Sequence, residues 1–242
     1  MVYNKKGGSM SITIYWACIE DEWIKATEPE PVIKRFYNLG IKNEDAGAFD
    51  AINHCPVFNE SLKNTYAIKS IYDYSFKIQD NQCMSPDYNQ KFFDDHVLIR
   101  SLDKKFFSFN TRYVFFTEED SLMIDTYQYP VFEENEITKR CMIIPGSFDI
   151  GKYFRNLEFA FILKKEFNDF IVQNEEVLYY LKFHTKEKIK FKQFRYNEDL
   201  LQFSKDVRKV NWYSKGGSGI ESFYNKFKGK KYILNEIKKN LI

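Results

Sequence analysis

Between residues 141 and 196, short apolar or aromatic stretches alternate with turn signals. Phe159, Phe161 and Leu163 stand two apart, and the polar residues 164–169 break the run. Residues 170–172 resume it, 173–176 break it again, 177–183 follow, and Ile189, Phe191 and Phe194 close the series. Side chains that alternate with period two, in short bounded runs, specify half-buried β-strands. The segment is expected to be a strand meander, with consecutive antiparallel strands. Phe159, Phe161 and Leu163 are expected on one buried face, because a slip of one residue would turn all three to water.

The same reading places strands at residues 11–17, 64–70, 72–78, 106–117 and 122–127. The second and third flank a tight turn at Asp73, and 106–117 reads as one strand or a hairpin. Residues 28–31 (EPEP) are stiff and extended, because each proline fixes its own φ and restricts its predecessor. Residues 32–39 read as a short helix or surface turn and 40–51 as a loop. A compact region opens at 54–58. Residues 80–87 are polar and contain Pro86, so they read as a loop; 92–96 fit helix or strand; 133–136 are acidic and expected to be exposed.

After Tyr196 the period lengthens. Residues 198–210 suit a helix, and 214–219 (SKGGSG) form a flexible break. Ile220, Phe223 and Phe227, then Ile233, Ile237 and Leu241, recur at helical spacing on either side of Gly229. The expected organisation is a disordered leader or tag at 1–9, a β-rich core at 10–196 and a helical basic segment at 197–242 docked on that core. The fold class is mainly β: an antiparallel sandwich or jelly-roll-like core with one or two C-terminal α-helices.

Composition adds limits. A chain of 242 residues suits one all-β domain with accessories, large enough to need no covalent staples. The 24 Phe and 17 Tyr are read first as strand residues and second as an aromatic binding surface. Ten of the 36 basic residues but only three of the 34 acidic ones lie in 205–242, so an acidic body carries a basic tail. Nucleic acid is therefore a conceivable partner of the tail, but solvated lysines on a docked helix are favoured. Cys18, Cys55, Cys83 and Cys141 lie far apart and are expected to be free thiols in a reducing compartment. No hydrophobic leader or membrane-spanning run is present, so a cytoplasmic location and no membrane contact are expected.

Three motifs bear on chemistry. Gly146-Ser-Phe-Asp-Ile-Gly151-Lys152-Tyr153 matches the phosphate loop except at its last position, where Tyr153 replaces the magnesium-binding hydroxyl. The sequel alternates like a strand, so a Pro-Gly turn between strands is expected and no nucleotide. His54, His96 and His184 lack the carboxylate two residues on that a facial iron triad requires; Pro56, Leu98 and Lys186 stand there. A non-local cluster of the three histidines with Asp94 is the remaining metal candidate. Cys55 next to His54 is no nucleophile pair, since neighbours on an extended chain point apart. No catalytic residue and no cofactor is assigned.

The opening 12–16 (ITIYW), then 28–31, 54–58 (HCPVF), 72–74 (YDY), 144–146 (IPG) and 176–183 (EVLYYLKF) occur in an order that resembles a family encoded by T4-like tailed phages of marine bacteria and by some bacteria. The resemblance covers most of 12–194 and excludes the basic tail. It implies a phage origin, an infected bacterial host and one compact domain, and it carries over no catalytic residue. The function expected is non-enzymatic: binding a host or virion protein, or self-association. The alternative is a small-molecule-binding protein or enzyme that uses the mouth of the β-fold, where the His/Asp cluster would hold a metal.

Overall fold

The computed structural model describes residues 11–18, 26–40, 54–79, 82–85, 89–127, 135–213 and 229–242. The leader at 1–9, most of the 40–51 loop, the acidic residues before 135, the break at 214–219 and the first apolar set (Ile220, Phe223, Phe227) lie outside the described residues.

The largest sheet runs β14 (Lys188–Gln193), β1 (Ser11–Cys18), β7 (Phe106–Thr117), β11 (Asn156–Leu163) and β9 (Cys141–Ile144), with β6 (Val97–Ser101) beside the first half of β7. A second sheet runs β10 (Gly146–Asp149), β8 (Met123–Tyr127), β13 (Val177–Phe183), β3 (Thr65–Lys69) and β2 (Glu30–Pro31). A third runs β12 (Asp169–Val172), β4 (Tyr74–Gln79) and β5 (Gln82–Met84). Pairing is antiparallel except between β1 and β14.

The second and third sheets are one ribbon with a bend. Lys69 faces Val177 and Tyr74 faces Val172, so the register continues through the gap. At the bend the Ser70 amide donates to Glu176 O at 2.8 Å, and the Glu175 amide to Ser70 O at 2.9 Å. The ribbon lies over the largest sheet, which makes a two-layer sandwich. Phe159 stacks on Tyr179 at 3.5 Å between ring centroids, and Phe107 meets Phe76 at 5.0 Å and Phe170 at 5.1 Å. The abundant aromatics are therefore mostly core.

Strands form where the alternation places them, and Phe159, Phe161 and Leu163 are buried together. The meander is corrected, however. β11 lies in the largest sheet, β12 in the third and β13 in the second, and β14 returns to the largest. The chain crosses between layers after β11 and again after β13, because β12, β13 and β14 find partners far earlier in the chain. Likewise β3 and β4 flank the bend at Asp73 without pairing with each other. Residues 106–117 form one continuous strand.

Helices cover both outer faces. On the largest sheet, Ile14 and Trp16 point into the sandwich, while Tyr15 and Ala17 point out. The outward pair packs with Val114, Phe116 and Phe194 against Leu200 of α5 (Glu198–Tyr213) and Ile233 and Ile237 of α6 (Gly229–Lys239). Burial on both faces explains why β1 and the end of β7 show unbroken burial rather than alternation. Val32 and Phe36 of α1 (Val32–Gly40) and Leu62 of α2 (Pro56–Leu62) cover Ala67, Val177 and Tyr180 of the second sheet.

The tail's stripe ends one residue set early. The helix stops at Lys239, Leu241 is exposed, and its backbone bridges Phe194 beyond β14. The Ile242 amide also donates to Gln193 O at 3.0 Å, so the chain's last residues pair with the end of the β14 edge. Among the described residues, no helix is long and apolar enough to cross a membrane.

Two elements depart from the sequence reading, and one ambiguous stretch resolves as a helix. The polar stretch 80–87 contains β5, which pairs with β4. Residues 92–96 belong to α3 (Gln90–His96), whose N-cap Asn89 accepts from the Phe92 amide at 2.9 Å. Glu136, expected to be exposed, opens α4 (Glu136–Arg140), is partly buried and pairs with Arg140 at 2.8 Å.

Candidate functional site

The segment that imitates a phosphate loop builds β10 and the turn into β11, and no helix follows it. Its amides are already committed. Gly151 N–H donates to Asp149 Oδ1 at 2.9 Å, Lys152 and Tyr153 N–H to Asp149 O at 3.2 and 3.0 Å, and Ile150 N–H to Leu122 O at 2.9 Å. In a phosphate loop such donors face the ligand. Here Asp149, which also accepts from Ser121 at 2.6 Å and from the Leu122 amide at 2.8 Å, organises the turn. Gly151 has a packing reason: a Cβ there would lie 2.5 Å from Glu119 O.

Beside this turn, between β8–β10 and the start of β11, opens a cavity of about 560 Å³. Met123, Phe148 and Leu157 supply apolar walls, and Lys152, Tyr153 and Arg155 supply polar ones. Asn156 donates to Asn110 at 2.6 Å at its base. There the register of β11 against β7 shifts between Asn156 and Glu158, and Arg112 adopts φ 61°. A bulge of this kind re-aims side chains at a sheet's margin.

The metal candidates do not gather into one group. His54 is exposed ahead of α2. His96 is buried; its Nδ1 lies 2.8 Å from Phe92 O, so that nitrogen carries the proton, and its ring stacks on Phe92 at 4.1 Å. Asp94 is exposed and accepts from Gln90 at 2.7 Å. Asp94 and His96 share one recess, which Asp95, Arg112 and Lys205 also line. His184 is exposed and pairs through Nε2 with Asp125 Oδ2 at 2.6 Å. Among the described residues, no group of three or more His, Cys, Asp or Glu side chains is placed to hold a metal ion.

The His184–Asp125 pair escaped the sequence reading because only the β8–β13 pairing joins residues so distant. Burial pushes the Asp125 carboxyl up, but hydrogen bonds from Ser147 and His184 outweigh it and hold it below 3.8. The order is wrong for a catalytic triad. The carboxylate sits between hydroxyl and imidazole, so the imidazole does not activate the serine. None of the four cysteines forms a disulfide, and burial pushes the Cys83 and Cys141 thiols up to about 12, which keeps them protonated.

Among the described residues, helices cover only part of the largest sheet's outer face. Where α5 and α6 end, the rows Ile144–Ala160–Ser108–Leu98 and Met142–Ile162–Phe106 run across β9, β11, β7 and β6. Met142 is 50 % exposed, Leu98 38 % and Ile144 36 %. The charges within this face answer one another: Arg100 donates to Ser108 at 3.1 Å and lies 3.5 Å from Glu158.

Among the described lysines of the basic tail, some pair with the chain just after β7 and one pairs within its own helix. Lys238 pairs with Glu118 at 3.0 Å, Lys239 with Glu236 at 2.6 Å, and Lys230 donates to Glu119 O. Comparison with protein-family models, curated proteins and solved structures finds no match.

Proposed function

We propose that this chain is a non-catalytic binding and assembly protein that pairs with a second copy of itself through the part of its largest sheet's outer face that α5 and α6 do not cover. The observation that carries the reading is the apolar patch of Met142, Ile144, Phe106, Ile162 and Leu98, spread over four strands on a face that helices cover elsewhere. Contiguous exposed apolar surface of this kind marks interaction sites. Arg100 on this face already pairs with Glu158 and donates to Ser108, so that charge would not be buried uncompensated on docking. Apolar sheet faces pack on each other readily, and a two-fold pairing would bring the same patch of both copies together. The resemblance to the phage family makes the infected bacterial cytoplasm the proposed place of action, with a virion or host protein as the other candidate for this face.

Co-expression of a tagged and an untagged copy tests the reading. The tagged copy should retain the untagged one, and Ile144→Asp should abolish retention while leaving the melting temperature of the protein nearly unchanged. Absence of retention, or retention untouched by Ile144→Asp, would contradict self-pairing through this face.

A further inference from the structure

We propose that the open edge of β14 accepts an added strand from a partner protein, an extended segment that alternates acidic and apolar residues. β14 ends the largest sheet, with β1 on one side. The Phe194 amide donates to Trp16 O at 3.0 Å, so residues of even number along this strand turn their backbone groups to β1 and residues of odd number turn theirs away. The chain already uses that outer side at both ends of the strand. The Gln193 carbonyl accepts from the Ile242 amide at 3.0 Å, the Arg195 amide donates to Asn240 O at 2.9 Å, and the Asn64 side chain donates to Glu187 O at 3.0 Å. Between these contacts, the N–H and C=O of Ile189 and Phe191 face the same side, and among the described residues no backbone partner meets them. A row of unpaired strand groups is a template for a further strand.

The side chains of β14 select the partner's sequence. Lys188, Lys190 and Lys192 are exposed on the outer face, while Ile189 and Phe191 point into the sandwich. Among the described residues, Lys188 and Lys190 take part in no ion pair, and Lys192 acts only on Glu118, through its charge. Glu118 is itself held by Tyr15 and Lys238, so the stripe of lysines keeps its positive charge. In an added strand, a residue opposite a lysine shares its face at about 5 Å, where an opposite charge stabilises and a like charge destabilises. A residue opposite Ile189 or Phe191 shares the inner face. Phe191 is half-buried at the margin, its ring 4.8 Å from that of Tyr66, and leaves apolar surface for such a residue to cover. The lysines turn away a second β14 edge for the same reason that they welcome an acidic strand. Nucleic acid is disfavoured, because phosphates would answer the lysines and leave the backbone groups of Ile189 and Phe191 unpaired.

Fluorescence anisotropy with labelled peptides tests this. The probes are Glu-Val-Glu-Val-Glu-Val-Glu, a peptide of the same composition with its valines in one block, a copy N-methylated at each valine, the counterpart with lysine in place of glutamate, and oligothymidylate. The alternating acidic peptide should bind saturably, one per chain, and the block and lysine peptides should not. The N-methylated copy should lose binding, because it cannot donate to the edge when paired antiparallel, as the chain's own end is. Lys190→Glu should weaken the alternating peptide about tenfold, the scale of exchanging an opposite-charge pair for a like-charge one. Lys190→Ala should weaken it less and decides the matter if Lys190→Glu misfolds. A variant carrying Lys188→Glu, Lys190→Glu and Lys192→Glu should prefer the lysine peptide. No binding of the alternating peptide at millimolar concentration, equal binding of the block or N-methylated peptide, or binding unchanged in both Lys190 variants would each overturn the proposal. Tighter binding of oligothymidylate than of the alternating peptide, lost in Lys190→Glu, would overturn it in favour of nucleic acid. The inference is independent of assembly: Ile144→Asp should leave peptide binding as it is.

Discussion

Phe161 is fully buried; it touches Phe107 on the neighbouring strand of its own sheet and Phe170 across the two layers, with centroids 5.6 and 6.1 Å apart. Phe161→Ala should cost about 3–5 kcal/mol in a denaturant melt, as a buried aromatic truncation does. A loss under about 1 kcal/mol would put the core elsewhere. The two glycines of the Gly146–Gly151 segment should behave differently. Gly151→Ala forces a Cβ to 2.5 Å from a backbone oxygen and should destabilise by about 1–3 kcal/mol. Gly146→Ala places its Cβ 3.5 Å from Thr126, an ordinary contact, and should be close to neutral on the same melt. At this scale the sequence was informative about burial and poor about partners. Period two placed Phe161 inside, and Tyr153 argued against the phosphate loop. Nothing in the sequence announced that Asp149 consumes the turn's amides, that His96 belongs to an aromatic cluster, or that Asp125 pairs with His184. Those relations depend on strand pairing over long separations.

Among the elements, α6 carries the clearest expectation. Ile233 and Ile237 have no exposure, and the helix is too short to persist alone in water. Ile237→Ala should cost about 2–5 kcal/mol. Deletion of residues 229–242 should lower the melting temperature; an unchanged value would contradict docking on the sheet. Glu118 links this helix to β1. Hydrogen bonds from Tyr15 and Lys238 hold its carboxyl below the ordinary 4.5. Because the folded value is depressed, the unfolded chain binds more protons in the window below 4.5. The stabilisation is present above that pH and is lost as pH falls through the folded value. Glu118→Gln should therefore show a smaller fall in stability than the parent when urea melts at about pH 6 and about pH 3 are compared. Equal falls would show that Glu118 contributes nothing to the acid response. The stripe at Ile233 and Ile237 was legible from helical spacing. Leu241 was misplaced because the helix ends at Lys239 and the chain turns to pair beside β14. β5 was hidden because it is three residues long, sits inside a polar stretch and pairs with β4 alone.

At the level of the whole molecule, layering follows from which strand faces are apolar twice over. β1 and the end of β7 bury both faces, one in the sandwich and one under α5 and α6. The sandwich class was readable from alternation and turn spacing. The crossing of the chain between layers was not, since alternation fixes which way a side chain points and says nothing about the neighbouring strand. The part of the largest sheet's outer face that α5 and α6 do not cover is likewise a property of topology: Met142, Ile144 and Leu98 look ordinary in the sequence and become a patch only when β9, β11, β7 and β6 lie side by side. Self-pairing through that patch is the central claim. Sedimentation velocity over a wide concentration range tests it most directly. The account predicts reversible, concentration-dependent conversion to a species of twice the chain mass, and a single-chain species at every concentration for Ile144→Asp. A parent protein that sediments as a single chain throughout, or a variant that dimerises equally well, would contradict it.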